Sequence, residues 1–162
     1  MNPVPSILFV CMGNICRSPS AEIIWTSKLS KLVGADAFVC DSAGTIAYHS
    51  GEGPDRRMQQ ALRKAGYEPF GRARSITRSD LDRFDLILTM DRENYESVRR
   101  LFGDRDGVDE KVHPFCEYAG LDGAREVPDP YYGGPEGFKR VIELLETGCE
   151  NLISRLNIRS DG

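Results

Sequence analysis

The run Ile7-Leu8-Phe9-Val10 carries no polar residue, and it leads straight into Cys11-Met12-Gly13-Asn14-Ile15-Cys16-Arg17-Ser18 and then Pro19-Ser20-Ala21-Glu22-Ile23-Ile24-Trp25. An apolar run without alternation suits a strand buried on both faces, as strands of parallel sheets are. Ser18 stands at a capping position and Pro19 near the first position of a helix, so the residues from Cys11 form the turn between a strand and a helix N-terminus. Gly13 and Asn14 can take positive φ inside that turn. Such a strand obliges the chain to cover both sides of its sheet.

The alternation then recurs. A second strand is expected at Phe38 to Ser42, followed by a turn at Ala43-Gly44-Thr45 and a polar loop to Pro54-Asp55. Asp55 or a neighbour caps a helix that carries Met58, Ala61 and Leu62 on one face and stops near Gly66. An extended piece at Ala73 to Ile76 precedes a strand at Leu86 to Met90, a helix through Tyr95, Val98 and Leu101, and a short strand around Val112. Gly120 to Gly134 is rich in glycine, proline and aspartate, and a closing helix runs from about Glu136 to Leu156. These elements predict an α/β fold: a single three-layer domain over residues 1–162, with a central four- or five-stranded parallel sheet, helices on both faces, and the Cys11 loop after the first strand. In such sheets ligands bind beyond the carboxyl ends of the strands, where Cys11 falls.

At 162 residues and 40% hydrophobic composition, the chain can bury roughly 70% of the surface its unfolded form exposes. A net charge of −4 argues against general affinity for nucleic acid or anionic membrane, which depends on summed positive potential. The N-terminal apolar run is too short for a signal peptide or a membrane span, so a cytoplasmic protein is expected. The five cysteines show neither CxxC pairs nor histidine spacing for zinc, which suits a reducing compartment and no metal. Cys40 is expected as a buried strand residue, Cys116 in a loop, and Cys149 on the amphipathic face of the last helix.

A thiolate is a nucleophile, and a guanidinium grips a tetrahedral oxyanion with two parallel hydrogen bonds. Their spacing alone means little, because Cys149 and Arg155 repeat it. Around Cys149, however, there is no preceding strand, no turn glycine and no hydroxyl after the arginine. At Cys11 the strand, the turn residues and the helix N-terminus together make a cradle for phosphate, whose donors also favour a thiolate. Expelling an alkoxide or phenoxide from a phosphate ester then needs a proton. Asp129, between Pro128 and Pro130 in a loop otherwise made for turns, is the best candidate to supply it.

Val10-Cys11-Met12-Gly13-Asn14-Ile15-Cys16-Arg17-Ser18-Pro19-Ser20-Ala21-Glu22 together with Asp129-Pro130-Tyr131-Tyr132 resembles the low-molecular-weight protein tyrosine phosphatase family. The likeness extends to Asp41-Ser42-Ala43-Gly44-Thr45, Ala73-Arg74, Met90-Asp91 and the chain length. It implies that Cys11 forms a phosphocysteine intermediate, that Arg17 clamps the phosphate, and that Asp129 protonates the leaving group and then activates water. Met12, Gly13, Asn14, Ile15, Cys16 and Ser18 would complete the phosphate loop, with Asn14 and Ser18 locking its shape, Ser18 bonding the thiolate, and Ser42 supporting them. Cys16 would be the thiol that pairs reversibly with an oxidised Cys11. Tyr48, Tyr131 and Tyr132 would form an aromatic rim suited to phosphotyrosine.

The resemblance further implies phosphotyrosine proteins as substrates, inorganic phosphate as product, no cofactor, and a monomer, association through the cleft being left open. One departure stands out: where the family commonly has a histidine tied to the loop asparagine, this chain has Gly71. His49 and His113 match no catalytic or metal pattern and are assigned to surface or local packing. Two rival readings are an arsenate reductase of the same fold and a catalytically weak phosphotyrosine-binding module. The first needs relay cysteines, which Asp91 to Lys111 lacks, and the second usually lacks the thiol or the acid.

Overall fold

Ile7, Leu8, Phe9 and Val10 are each fully buried, which stabilises by roughly 1.5–3 kcal/mol per side chain relative to exposure. In the computed structural model, which describes residues 4–131 and 133–160, they form the core of strand β1 (Ile7–Cys11). It pairs in parallel with β2 (Cys40–Gly44) on one side and β3 (Leu86–Thr89) on the other, and β3 pairs in parallel with β4 (Val112–Pro114). The sheet has four strands in the order β2-β1-β3-β4. The Ala73 to Ile76 segment touches this sheet only through a bridge between Gly44 and Ser75.

Successive side chains of β1 point to opposite faces, which explains why its sequence is apolar throughout. Ile7, Phe9 and Cys11 join one core with α1 (Arg17–Val33), α2 (Arg56–Lys64), α6 (Phe115–Tyr118) and α7 (Pro135–Arg155). Phe115 meets Phe9 edge-on at 6.1 Å between ring centres. Leu8 and Val10 join the other core with α3 (Asp80–Arg83), α4 (Arg92–Phe102) and α5 (Val108–Lys111). The one-turn helices α3, α5 and α6 are too short to show a period in the sequence. Cys116 accordingly lies buried in α6 rather than in a loop, and Cys40 is only half-buried.

Two boundaries differ from expectation for a reason that matters at the site. Helix α1 begins at Arg17, and Ser18 lies inside its first turn without capping it, because the Ser18 hydroxyl is directed at Cys11 instead. Pro19 still falls among the first amides, which have no partner within the helix. Strand β2 runs through Ala43-Gly44 instead of ending at Ser42, and Val39 is exposed. This register puts Gly44 opposite Cys11, where a Cβ would stand 2.7 Å from the Met12 carbonyl oxygen. Only glycine allows the loop to settle there. Asp55 caps α2 through the amides of Arg57 and Met58, as anticipated. Among the described residues no helix is long and apolar enough to cross a membrane.

Candidate active site

The loop from Met12 to Cys16 joins the buried end of β1 to the first turn of α1. Its shape depends on Asn14, which has φ of 57°, a left-handed conformation that asparagine tolerates better than most residues. The Asn14 side chain is fully used: Nδ2 donates to Ser18 Oγ at 2.8 Å and to Ser42 Oγ at 2.9 Å, and Oδ1 accepts from the Arg74 amide at 3.0 Å. Ser18 Oγ lies 3.0 Å from Cys11 Sγ, so its hydroxyl can donate to a thiolate. Ser42 in turn donates to Glu22 Oε1 at 2.7 Å. Thus Asn14, Ser18 and Ser42 meet around the Cys11 thiol.

Arg17 is 3% exposed, and its guanidinium is aimed by two acceptors from distant parts of the chain. Nη1 donates to Asp91 Oδ2 at 2.5 Å and to the Val127 carbonyl at 3.1 Å, while Nη2 lies 3.7 Å from Asp129 Oδ2. Burial works against its charge, but Cys11, the Asp91 hydrogen bond and Asp129 outweigh it and raise its proton affinity further. Asp91 is itself fixed, since it caps α4 in a reciprocal pair with Asn94. Asp129 accepts from the Tyr131 amide at 3.1 Å, and its side chain stays over a third exposed.

Cys11, Arg17 and Asp129 line one cleft of about 330 Å³ together with Met12, Gly13, Ile15 and Cys16. Its rim carries Ile46, Tyr48, His49 and Tyr131. Tyr48 is the most exposed, at 84%, and meets the His49 ring edge-on at 4.8 Å. The Arg57 guanidinium lies 5.2 Å over the Tyr131 ring and Tyr132 falls outside the described residues. His49 belongs to this cleft as well as to local packing: its ring crowds Gly13, and Nδ1 is paired with Glu52. His113, on β4, bonds the Glu110 carbonyl through Nε2 and stacks on Tyr118, away from the cleft. A larger groove of about 570 Å³ between α2 and α7 contains none of the three candidate catalytic side chains.

The remaining thiols are held in the neutral form. Burial, then Asp55 and Cys11, pushes the Cys16 thiol far up; burial also raises Cys40 and Cys149 far up and moves Cys116 up to about 11. Glu22 is unusual in the opposite sense for a carboxyl near a cation: burial, opposed by the Ser42 bond and assisted by Asp41, lifts it to about 7.

The sequence reading missed Asp91, Glu22 and the Arg74 cluster. Arg74 Nη1 and Nη2 bind both oxygens of the fully buried Asp80 at 3.0 and 3.1 Å, and Nε reaches Asp41 at 3.1 Å. Asp91 had one legible signal, since it follows the carboxyl end of β3, where ligands gather in parallel sheets. Gly71 has φ of 96° with nothing within 4 Å of where a Cβ would be, so a histidine there would be strained in this backbone. Beside it lies a cavity of about 10 Å³ lined by Asn14, Glu22 and Ser42, about the volume one water centre occupies.

Residues 6–161 match the family model described as low molecular weight phosphotyrosine protein phosphatase. Over 151 residues, covering 93% of this chain and 95% of the relative, the chain is 50% identical to a Synechocystis sp. protein named for the same phosphatase class. A crystal structure of protein tyrosine phosphatase from Entamoeba histolytica, with Hepes in its active site, superposes with a TM-score of 0.88 at 39% identity, covering 95% of this chain and 97% of that one. A Drosophila structure titled as an arginine phosphatase superposes at 0.84 with 29% identity over 96% and 99% of the two chains. The family match spans the thiol loop and the acid loop that the fold brings to one cleft, and together with the relatives it shows that this chain belongs to the low molecular weight protein tyrosine phosphatase family of cysteine-based phosphatases.

Proposed function

We propose that the protein hydrolyses phosphotyrosine in proteins by two displacements at phosphorus. The observation that carries this reading is the meeting of Cys11, Arg17 and Asp129 in one cleft. In the first step the Cys11 thiolate attacks phosphorus, the ester P–O bond breaks, and Asp129 gives its proton to the leaving phenolate oxygen. In the second, Asp129 takes a proton from water as that water attacks the phosphocysteine, releasing inorganic phosphate and the thiolate. Arg17 and the loop amides hold the equatorial oxygens throughout, where charge is greatest in flight. Nucleophile, clamp and acid are all side chains of this protein, so the scheme calls on no cofactor.

The rim of Ile46, Tyr48 and Tyr131 supports an aromatic substrate, because stacked and edge-on rings add attraction beyond area burial. Only Cys11 and Cys16 among the cysteines of the described residues line the cleft, which favours hydrolysis over an arsenate relay that must pass a disulfide outward. We further infer that Cys16, which lines the same cleft as Cys11, serves redox protection: a sulfenic acid formed on Cys11 by peroxide condenses with the Cys16 thiol, expelling water and leaving a reducible disulfide. Five free thiols suit the reducing cytoplasm.

The test is hydrolysis of phosphotyrosine and phosphoarginine peptides side by side, with and without EDTA. The expected result is EDTA-insensitive phosphotyrosine turnover that is abolished in Cys11→Ser. Preference for phosphoarginine would overturn the substrate assignment, and activity in Cys11→Ser would overturn the mechanism.

A further inference from the structure

Glu22 lies on α1 one turn after Ser18, at the far end of an unbroken line of polar contacts that starts at the nucleophile. Cys11 Sγ is 3.0 Å from Ser18 Oγ, Ser18 Oγ is 2.8 Å from Asn14 Nδ2, Asn14 Nδ2 is 2.9 Å from Ser42 Oγ, and Ser42 Oγ is 2.7 Å from Glu22 Oε1. Chemistry assigns the hydrogens. An amide nitrogen only donates, so both Asn14 hydrogens are committed, one to each serine, and each serine has one proton left to place. The Ser18 proton has two acceptors in reach, Cys11 Sγ at 3.0 Å and the Ala43 carbonyl at 3.3 Å, and an ionised Cys11 draws it to the thiolate; Ser42 gives its own to the carboxylate. The order is therefore fixed at both ends by an anion.

A protonated Glu22 breaks that logic. Either its hydroxyl becomes a second donor to the Ser42 oxygen beside Asn14, or its carbonyl keeps the Ser42 bond as one between neutral groups, and in both cases the charge-assisted bond is lost. Bonds to a charged acceptor are about twice as strong as neutral ones, and chains of hydrogen bonds strengthen one another. The groups that face Glu22 are Asp41 and Cys40 from β2 and Arg74 from the extended segment, with Arg72 bordering the same small cavity. Asp41 and Arg74 oppose each other, so the proton on Glu22 answers mainly to its burial, and a small cavity beside Gly71 borders the carboxyl.

We propose that Glu22 is a positioning residue for Cys11: as a carboxylate it accepts a charge-assisted bond from Ser42, which steadies Asn14 and through it Ser18, and so holds the nucleophile's loop more firmly than when it carries a proton itself. This rests on Cys11 being the nucleophile. Since the Glu22 carboxyl is lifted to about 7, it changes from mostly protonated to mostly ionised across the neutral range, and the loop tightens as pH rises.

Glu22→Gln is the informative variant, because its amide, like a protonated carboxyl, offers one donor side and one acceptor. Aryl-phosphate turnover of the full chain is measured for wild type and Glu22→Gln between about pH 5.5 and 8, and the ratio of the two kcat values is plotted, so that titrations shared by both proteins cancel. The ratio of wild type to variant is expected to rise with pH from near one to about three- to tenfold, the size of one charge-assisted bond, with KM little changed. In a Ser42→Ala background the same substitution should give a ratio that does not vary with pH. A ratio that is constant in the wild-type background, or a rise that survives Ser42→Ala, overturns the proposal.

Carbon-13 titration of the Glu22 carboxyl in unsubstituted protein provides a reading that needs no Glu22 variant to fold. Its midpoint should move when Ser42 is replaced by alanine, and an unmoved midpoint counts against the relay. Cys11→Ser protein separates the two levels: retained turnover there sinks the nucleophile assignment, whereas loss of turnover with a Ser42-insensitive Glu22 sinks only the positioning role.

Discussion

The Arg17 guanidinium donates to the Asp91 carboxylate at 2.5 Å across 74 positions of sequence. The clamp is thus aimed from beneath by a residue that caps a different helix. Asp91→Asn keeps a good capping side chain while removing the charge. It should lower kcat/KM by about 10- to 100-fold, the size of a hydrogen bond to a charged group, with little change in Tm. A large loss of Tm with kcat/KM intact would make Asp91 a helix cap only.

Asp129→Asn removes the proton donor but leaves the loop's turn bond from Tyr131 an oxygen acceptor. Turnover should fall by roughly 10²- to 10⁴-fold, the usual contribution of general acid–base catalysis, while binding of inorganic phosphate, followed by calorimetry, stays close to wild type. Equal losses of both would assign Asp129 to structure.

Peroxide should inactivate the wild type reversibly, with activity returning on addition of a thiol reductant. In Cys16→Ser the same exposure should leave a larger irreversible fraction, read by mass spectrometry as sulfinic acid on Cys11. Equal recovery of the two proteins would remove the protective role of Cys16.

Replacing Arg74 by methionine would leave Asp80, fully buried, without its bidentate partner. Removing one member of a fully buried pair costs about 3–5 kcal/mol, but the Arg74 side chain is 30% exposed and Arg83 Nη1 stays 3.5 Å from Asp80, so denaturant unfolding should show a smaller loss of about 1–3 kcal/mol. A loss well under about 1 kcal/mol, the scale of a surface ion pair, would show that water replaces the guanidinium.

Glu22 should also leave its mark on stability. Its folded carboxyl is raised to about 7 from an ordinary 4.5, so between those values the native state binds more protons than the unfolded chain. Stability therefore falls as pH rises through that window and is level above it. Allowing for partial exposure, the penalty is on the order of 2–3 kcal/mol, and Glu22→Gln should gain about that much relative to wild type between about pH 5 and 8. Parallel stability curves for the two proteins would contradict the raised carboxyl.

The sheet and its cover were legible because β1 is apolar at every position and the helices after β1, β2 and β3 show a clear period. Cys11, Arg17 and the supporting Asn14 and Ser18 were legible because they share one short segment, so local turn chemistry constrains them together. Asp91, Glu22 and Arg74 were not, because their roles exist only through pairing at long range, with Arg17, with Ser42, and with Asn14 and Asp41 respectively. The end of β2 was misplaced for a similar reason, since the demand on Gly44 comes from the Met12 carbonyl of another strand's loop. His49 gave no sequence signal at all.

The proposed nucleophile and clamp are continuous with β1 and α1, whereas the proposed acid arrives on a segment tied back to the sheet by the Val127 amide on the Met90 carbonyl at 2.8 Å. That segment also supplies the Val127 carbonyl that Arg17 grips at 3.1 Å. Its docking therefore serves both the capture of the phosphoryl group and the delivery of the proton, so neither half of the reaction is independent of it.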